Sequence, residues 1–254
     1  MLSFFKKKEI LHDESYFPFT TDIHSHILPG IDDGSPDVET SLELIKGLMK
    51  LGITSSVATP HIIGDMYRND SVTVGNALAI LQKSLADNAI DFKVSAAAEY
   101  MLDDYFLSLL SSGTKLLTLK DNYILTEFSY AARPNNIEET VFNIITEGYR
   151  PILAHPERYG YFHNDLKQYE RLKDIGFSLQ VNLLSLTGYY GKGVQKAAEY
   201  LLKHELVSFA GSDLHHARHL EMLSHRESRA IFKKAFSSKG FNAEMSSDVT
   251  GENA

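Results

Sequence analysis

The chain has 254 residues, enough for one large domain with a sizeable buried core and an ordinary length for a single α/β barrel. Its formal net charge of -8 excludes broad electrostatic attraction to nucleic acid or to an anionic membrane, though a local basic spot can still hold a phosphate. The absence of cysteine excludes disulfides, thiolate-bound zinc and every phosphatase mechanism that needs a cysteine nucleophile.

Residues 1–19 read as an N-terminal extension. Met1-Leu2-Ser3-Phe4-Phe5-Lys6-Lys7-Lys8 places an apolar pair ahead of three lysines, the reverse of a signal peptide. It reads as a frayed terminus, with a weak peripheral membrane contact as the alternative. No apolar stretch approaches the ~18 residues of a transmembrane helix, so no integral membrane segment is expected.

From residue 20 a strand-then-helix rhythm repeats about every 30 residues, which favours a parallel sheet of βα units. The first strand is expected near Thr21–Ile27. Ser35 then reads as a helix N-cap, with Pro36 at the first helical position and Asp37 and Glu39 in the first turn. Val38, Leu42, Ile45, Leu48 and Met49 share one face of that helix, and Gly52 closes it. A second strand over Ile53–Ala58 precedes a helix from about Val72 to Asn88, and a third over Phe92–Ala98 precedes a short helix near Asp103–Leu110. Strand four is Tyr123–Phe128, with a helix over Ile137–Glu147 stopped by Gly148. Strand five is Pro151–Ala154, and its helix ends near Gly176. Strand six is Phe177–Asn182, followed by a helix over Gln195–His204. Strand seven is Leu206–Ala210, and one last helix is expected over Ala217–Phe236. Seven βα units without a linker predict one barrel over residues 20–240, followed by a small, polar, disordered tail at 241–254.

Residues that ligate metals recur where these strands end. Strand one offers His24 and His26, strand two His61, strand three Glu99 and strand four Glu127. Strand five offers His155, and strand seven Asp213 and His215. Parallel strands of a barrel present their C-terminal ends on one face, so these residues converge, and alternation puts His24 with His26 and Asp213 with His215 on one side. His12, His163, His204 and His225 lack such neighbours and read as structural. Imidazole and carboxylate donors without thiolate suit Mn, Fe or Zn. The donors are too many for one ion, so two or three are implied, and Glu99 is suited to bridge a pair.

The stretch Asp22-Ile23-His24-Ser25-His26-Ile27-Leu28-Pro29-Gly30-Ile31-Asp32-Asp33-Gly34 resembles the opening motif of the PHP (polymerase and histidinol phosphatase) superfamily. More narrowly, it is similar to the bacterial tyrosine-protein phosphatases encoded with capsule and exopolysaccharide genes. The likeness continues through Ala58-Thr59-Pro60-His61, Ala98-Glu99-Tyr100, Leu125-Thr126-Glu127-Phe128, His155-Pro156-Glu157-Arg158-Tyr159 and Gly211-Ser212-Asp213-Leu214-His215. It implies an α/β fold, a distorted seven-stranded TIM-like barrel, holding two or three divalent ions, with manganese foremost.

By that resemblance His24, His26, Glu99 and Asp213 hold one ion, and Glu99, Glu127 and His155 a second. Asp33, His61 and His215 hold a third. Arg158 aligns with a phosphate-gripping arginine, Arg218 is a second candidate, and Arg133 a weaker one. Tyr159 and Tyr161 either line an aromatic leaving-group pocket or cover the barrel rim. The implied reaction is hydrolysis of phosphotyrosine by a metal-bound hydroxide. The implied substrate is a bacterial tyrosine autokinase that controls capsule and exopolysaccharide synthesis, placing the chain in the cytoplasm or at the inner membrane face. The alternatives are a histidinol-phosphate-type phosphatase and a non-catalytic metal-stabilised PHP module. An amidohydrolase also opens with His-x-His, but it usually carries a lysine at the end of strand four, where Glu127 stands.

Overall fold

A computed structural model describes residues 17, 19–236, 240–242 and 245. Met1–Lys8, His12 and most of the polar tail lie outside the described residues.

Among the described residues nine short strands are interspersed with helices. The strands are β1 (Thr21–Asp22), β2 (Ser55–Ala58), β3 (His61–Ile62), β4 (Lys93–Ala96), β5 (Glu99–Met101), β6 (Tyr123–Glu127), β7 (Arg150–Ala154), β8 (Ser178–Asn182) and β9 (Val207–Gly211). The helices are α1 (Val38–Lys50), α2 (Ser71–Asp87), α3 (Asp104–Ser111), α4 (Ile137–Thr146), α5 (Gln168–Asp174), α6 (Lys192–Lys203), α7 (Ala217–Ser224) and α8 (Arg226–Ala235). All strand pairs are parallel, in two sheets ordered β1-β2-β4 and β3-β5-β6-β7-β8-β9.

The two sheets are parts of one ring. The second strand expected from the sequence ends at Ala58 and resumes as β3 after Thr59-Pro60, where proline has no N–H for the ladder. The third breaks beside it, at Ala97-Ala98, and backbone bonds Ala97 N to Ala58 O (2.8 Å) and Glu99 N to Pro60 O (3.0 Å) carry contact across the step. Strand one is regular only over Thr21–Asp22, shorter than its sequence pattern predicts. Beyond it, Ser25 bridges Leu214 in parallel, with Asp213 N donating to His24 O at 2.8 Å and His26 N to Leu214 O at 2.9 Å. These bonds close the ring between its first and last strands.

The strands are buried on both sides, as expected for parallel strands covered by helices. Ile152, Leu153 and Ala154 of β7 and Leu179 and Val181 of β8 are fully buried. The helices supply Leu44, Ile45 and Leu48 of α1, Leu81 and Leu85 of α2, Val141 and Ile144 of α4, and Ala197, Ala198 and Leu201 of α6. At the ends of the chain Phe17 stacks on Phe19 and packs on Phe232, while Phe236 meets Phe241. These aromatic rings seal the base of the last helices.

Two local expectations are corrected. The cap of α1 is Asp37, not Ser35: its extended backbone precedes the helix and its carboxylate accepts from Thr40 N at 2.8 Å. Ser35 instead donates to Asp37 O. The last helix is two helices, broken at His225, whose ψ of 142° leaves the helical region. Leu223 and Phe232 are buried on either side, so the apolar periodicity runs through the break without marking it. Among the described residues no helix is long and apolar enough to cross a membrane.

Candidate metal centre

Strand ends from around the ring deliver the donors to one place. His24, His26, Glu99 and Asp213 form one buried group whose ligand atoms lie within 4.8 Å of one another. His61, Glu99 and Glu127 form a second, and His26, Asp33, His61 and His215 a third, on the same criterion. Glu99 is thus common to the first two, and its Oε2 lies 3.2 Å from His24 Nε2, 3.3 Å from His26 Nε2 and 3.3 Å from His61 Nδ1. The third group is the outermost, since the Asp33 side chain is 53% exposed against 12% for His61 and 14% for His215. The grouping differs from the sequence-based one in two respects. His61 joins Glu99 and Glu127 (3.0 Å from Glu127 Oε1), and His26 faces the Asp33 group as well. His155 stands one step aside, its Nε2 3.0 Å from Glu99 Oε1.

The rings are aimed by bonds on the nitrogen turned away from the donors. His24 Nδ1 is 2.9 Å from Gln180 Oε1, an oxygen fixed because Gln180 Nε2 donates to Val181 O. His26 Nδ1 is 2.7 Å from Asp32 Oδ2, and His215 Nδ1 is 2.9 Å from Asp213 O. An oxygen at Nδ1 keeps the proton there and leaves the Nε2 lone pair facing inward, the arrangement that metal-binding histidines use. Two glycines make room. A Cβ on Gly211 would lie 2.6 Å from His24 Cβ, and one on Gly34 would lie 2.1 Å from His26 O.

Whether this donor set fits ions can be judged from its unmet polar atoms. His61 Nδ1, Glu99 Oε2 and Glu127 Oε1 are buried yet have no hydrogen-bond partner, although they face one another. Buried orphan atoms are costly, and three pointing at a shared space are satisfied together by a cation. The electrostatics agree. Burial, the largest influence on His24, works to discharge it, but the Glu99 and Asp213 carboxylates override burial and push its pKa up to about 9. Burial likewise opposes the Glu99 charge, yet His24 and the His155 bond hold its carboxyl well below the usual range. Glu127 is pushed up by burial and by Glu99. The cluster is a negative field that binds positive charge, as protons or as ions.

Asp213 joins the donors to an arginine. Its Oδ1 faces His24 Nε2 at 3.3 Å, while its Oδ2 accepts from Arg158 Nη1 at 2.6 Å and Asn182 Nδ2 at 2.8 Å. The Arg158 side chain stays 23% exposed, so part of it remains open to solvent. Both loops that make this pairing turn sharply: His155 (φ 36°) and Asp213 (φ 52°) take left-handed backbone that non-glycine residues rarely adopt. Arg218 lies elsewhere, exposed on α7 with its guanidinium 5.8 Å from the Tyr189 ring centre. Among the described residues no ion pair joins it to the donors. Arg133 packs over Phe162 and bonds Gln168.

Tyr159 is fully buried and no pocket wall. Its hydroxyl accepts from Phe128 N and donates to Ala154 O, and Tyr161 stacks on it from outside. Other aromatic residues stand at the site: Tyr130 lies 3.3 Å from His155 Nδ1, and Tyr67 stacks on His61. Sequence reasoning also missed Gln180 and Asn182, although polar residues in an otherwise apolar buried strand (Leu179-Gln180-Val181-Asn182) are the signal that could have found them. Asp32 stood in the quoted motif without a role. His163 and His204 have structural partners, Glu157 O and the Tyr200 ring.

The comparisons agree with this geometry. Tyrosine-protein phosphatase YwqE of Bacillus subtilis is 31% identical over 219 residues, spanning 86% of this chain and 85% of that protein. Tyrosine-protein phosphatase CpsB of Streptococcus pneumoniae is 31% identical over 202 residues, spanning 76% and 82%. A chain from the crystal structures of YwqE from Bacillus subtilis and CpsB from Streptococcus pneumoniae, described as unique metal-dependent tyrosine phosphatases, superposes with a TM-score of 0.76. It is 30% identical and covers 86% of this chain and 88% of its own. The model for capsular polysaccharide synthesis, CpsB/CapC, matches residues 20–243, and the chain belongs to that family.

Proposed function

We propose that the chain is a metal-dependent protein-tyrosine phosphatase that transfers the phosphoryl group of phosphotyrosine directly to water. The observation that carries this is the convergence of the orphaned His61 Nδ1, Glu99 Oε2 and Glu127 Oε1 beside a donor carboxylate, Asp213, that also holds Arg158. The names of the relatives support the substrate class.

His24, His26, Glu99 and Asp213 are the residues that would hold one ion. Glu99, Glu127 and His155 would hold a second, and Asp33, His61 and His215 a third. The high carboxylate share and the lack of thiolate suit manganese best. Bound there, such ions supply a water of lowered pKa and charge compensation for the phosphoryl oxygens. The chain's own contribution begins with Arg158. Its planar guanidinium, anchored through Nη1 on Asp213, presents the rest of its fork to two phosphoryl oxygens. Asn182 shares the anchoring oxygen and keeps Asp213 from turning. Lacking cysteine, the chain forms no phosphocysteine.

The relatives' names favour a phosphotyrosine protein as the substrate and the family a role in capsular polysaccharide synthesis; we take that substrate to be a bacterial tyrosine autokinase, met in the cytoplasm or at the inner membrane face. Residues 20–240 would be the phosphatase domain. Phosphate release from a phosphotyrosine peptide and from histidinol phosphate, with Mn²⁺ and with EDTA, tests the proposal. Faster cleavage of histidinol phosphate overturns the substrate class, and turnover that survives EDTA overturns the metal.

A further inference from the structure

The mouth of the site has an aromatic surface that the chemistry above leaves unused. Tyr130 follows β6, three residues past Glu127, and remains 45% exposed although its hydroxyl reaches inward to His155 Nδ1 at 3.3 Å. Its ring lies nearly parallel to the His155 imidazole (23°, centres 5.9 Å apart) and is backed by Tyr159 at 5.5 Å. The tip is anchored and one side is supported, so the ring is held rigidly with surface open to solvent. The Arg158 guanidinium carbon sits between two rings, 5.0 Å from the centre of Tyr130 and 4.3 Å from that of Tyr190. Tyr190 is already engaged: it packs against Tyr189 and His219, and its hydroxyl accepts from Asn182 Nδ2. Of the two rings flanking the arginine, Tyr130 is the more exposed.

We infer that Tyr130 is the specificity-determining wall of this site, its exposed ring surface receiving the aryl group of a phosphate ester whose phosphoryl oxygens are gripped by Arg158. The inference rests on the phosphatase reading above and names the feature that selects aryl over alkyl esters. A phosphoryl group on Arg158 brings its ester substituent beside the Tyr130 ring. A flat aryl group covers that surface and gains the ring–ring contact, whereas a seryl or glyceryl group has no face to lay on it. A Tyr130 that only steadied His155 through its hydroxyl would affect all phosphate esters alike.

The experiment compares wild type, Tyr130→Ala and Tyr130→Phe as full-length, Mn²⁺-loaded proteins. Each is assayed on phosphotyrosine and phosphoserine peptides of one sequence, and on para-nitrophenyl phosphate and glycerol phosphate. Tyr130→Ala should lower kcat/KM on the aryl esters about five- to tenfold more than on the alkyl esters, chiefly through KM. Tyr130→Phe should keep the wild-type aryl-to-alkyl ratio. The inference is overturned by an equal fall on both classes, by a ratio that does not move, or by a Phe variant that loses the ratio as Ala does. Tyr130→Leu, which fills the space without a flat face, repeats the comparison should Ala lower the melting temperature. Wild type inert on every aryl ester overturns the proposed function itself, and this inference with it.

Discussion

Asp32 is no metal donor, yet Asp32→Asn should weaken ion binding. Its carboxylate receives three N–H groups on two oxygens: Oδ2 accepts from His26 Nδ1 (2.7 Å) and His61 N (3.1 Å), and Oδ1 from Gly34 N (3.0 Å). An asparagine keeps one oxygen. Placed toward His26, it leaves its NH₂ facing the Gly34 N–H, donor against donor. Gly34 cannot retreat, because Ser35 N is bonded to His26 O at 2.9 Å and the backbone there is closely packed on His26. The loss is one charge-assisted bond, ~1.5–3 kcal/mol, which lowers the melting temperature of the ion-free protein by roughly 4–8 °C at about 2 kcal/mol. Because His26 faces two of the donor groups and loses the anion behind its ring, Mn²⁺ affinity should fall about 10–100-fold. Calorimetric titration of Mn²⁺ into chelator-treated protein, beside a thermal melt, measures both. A lowered melting temperature with unchanged Mn²⁺ affinity would refute the argument that Asp32 acts through His26.

Four further outcomes can be checked. His24 has a folded-state pKa of about 9, above its ordinary 6.5, so its charge stabilises the ion-free protein fully below pH 6.5 and that contribution is lost as pH rises toward 9. Chelated protein should therefore melt progressively earlier from pH 7 to 9 while Mn²⁺ affinity rises over the same window; a flat melting profile counts against the buried carboxylate field. Gly211→Ala, with its Cβ 2.6 Å from His24 Cβ and 2.9 Å from Gln180 Nε2, should cost ~1–3 kcal/mol of stability and on the order of 10²-fold in activity. Gly75→Ala on α2 meets nothing within 4 Å and should stabilise by up to ~1 kcal/mol; equal melting shifts of opposite sign to these would show the crowding argument wrong. Arg158→Ala should lower kcat/KM about 10²–10³-fold and exposed Arg218→Ala within about twofold, so the reverse ranking in a phosphotyrosine peptide assay would move the phosphate grip to α7.

The donors were legible because barrel topology alone brings strand ends together. His24, His26, His61, Glu99, Glu127, His155, Asp213 and His215 needed only correct strand ends, and the strand breaks after Ala58 and Ala96 did not disturb which face they meet. The supports were not legible in the same way. Gln180 meets His24 across 156 positions and Asn182 meets Asp213 across 31, and no local pattern encodes such pairs. The tyrosines show the limit most clearly. Arg158 and Tyr159 are adjacent in sequence, and the sequence left Tyr159 open between a leaving-group pocket and the barrel rim. The tight turn over Pro156–Arg158 sends them in different directions, since successive side chains on a 3₁₀ turn diverge by about 120°. Arg158 reaches Asp213, whereas Tyr159 goes under Phe128.

That turn begins with His155 in left-handed backbone, and Asp213, at the end of the opposite loop, is in the same region. Each such residue costs about 1–3 kcal/mol unless its surroundings hold it there. Here they do so mutually: Arg158 Nη1 bonds Asp213 Oδ2, Asn182 Nδ2 bonds the same oxygen, and Asn182 N bonds Glu157 Oε1 within the His155 turn. The strained turns thus belong to one network that uses one oxygen of Asp213 to fix the arginine and leaves the other facing His24 and His26. A carboxylate divided in this way ties Arg158 to the donor cluster, so a shift of one is felt by the other.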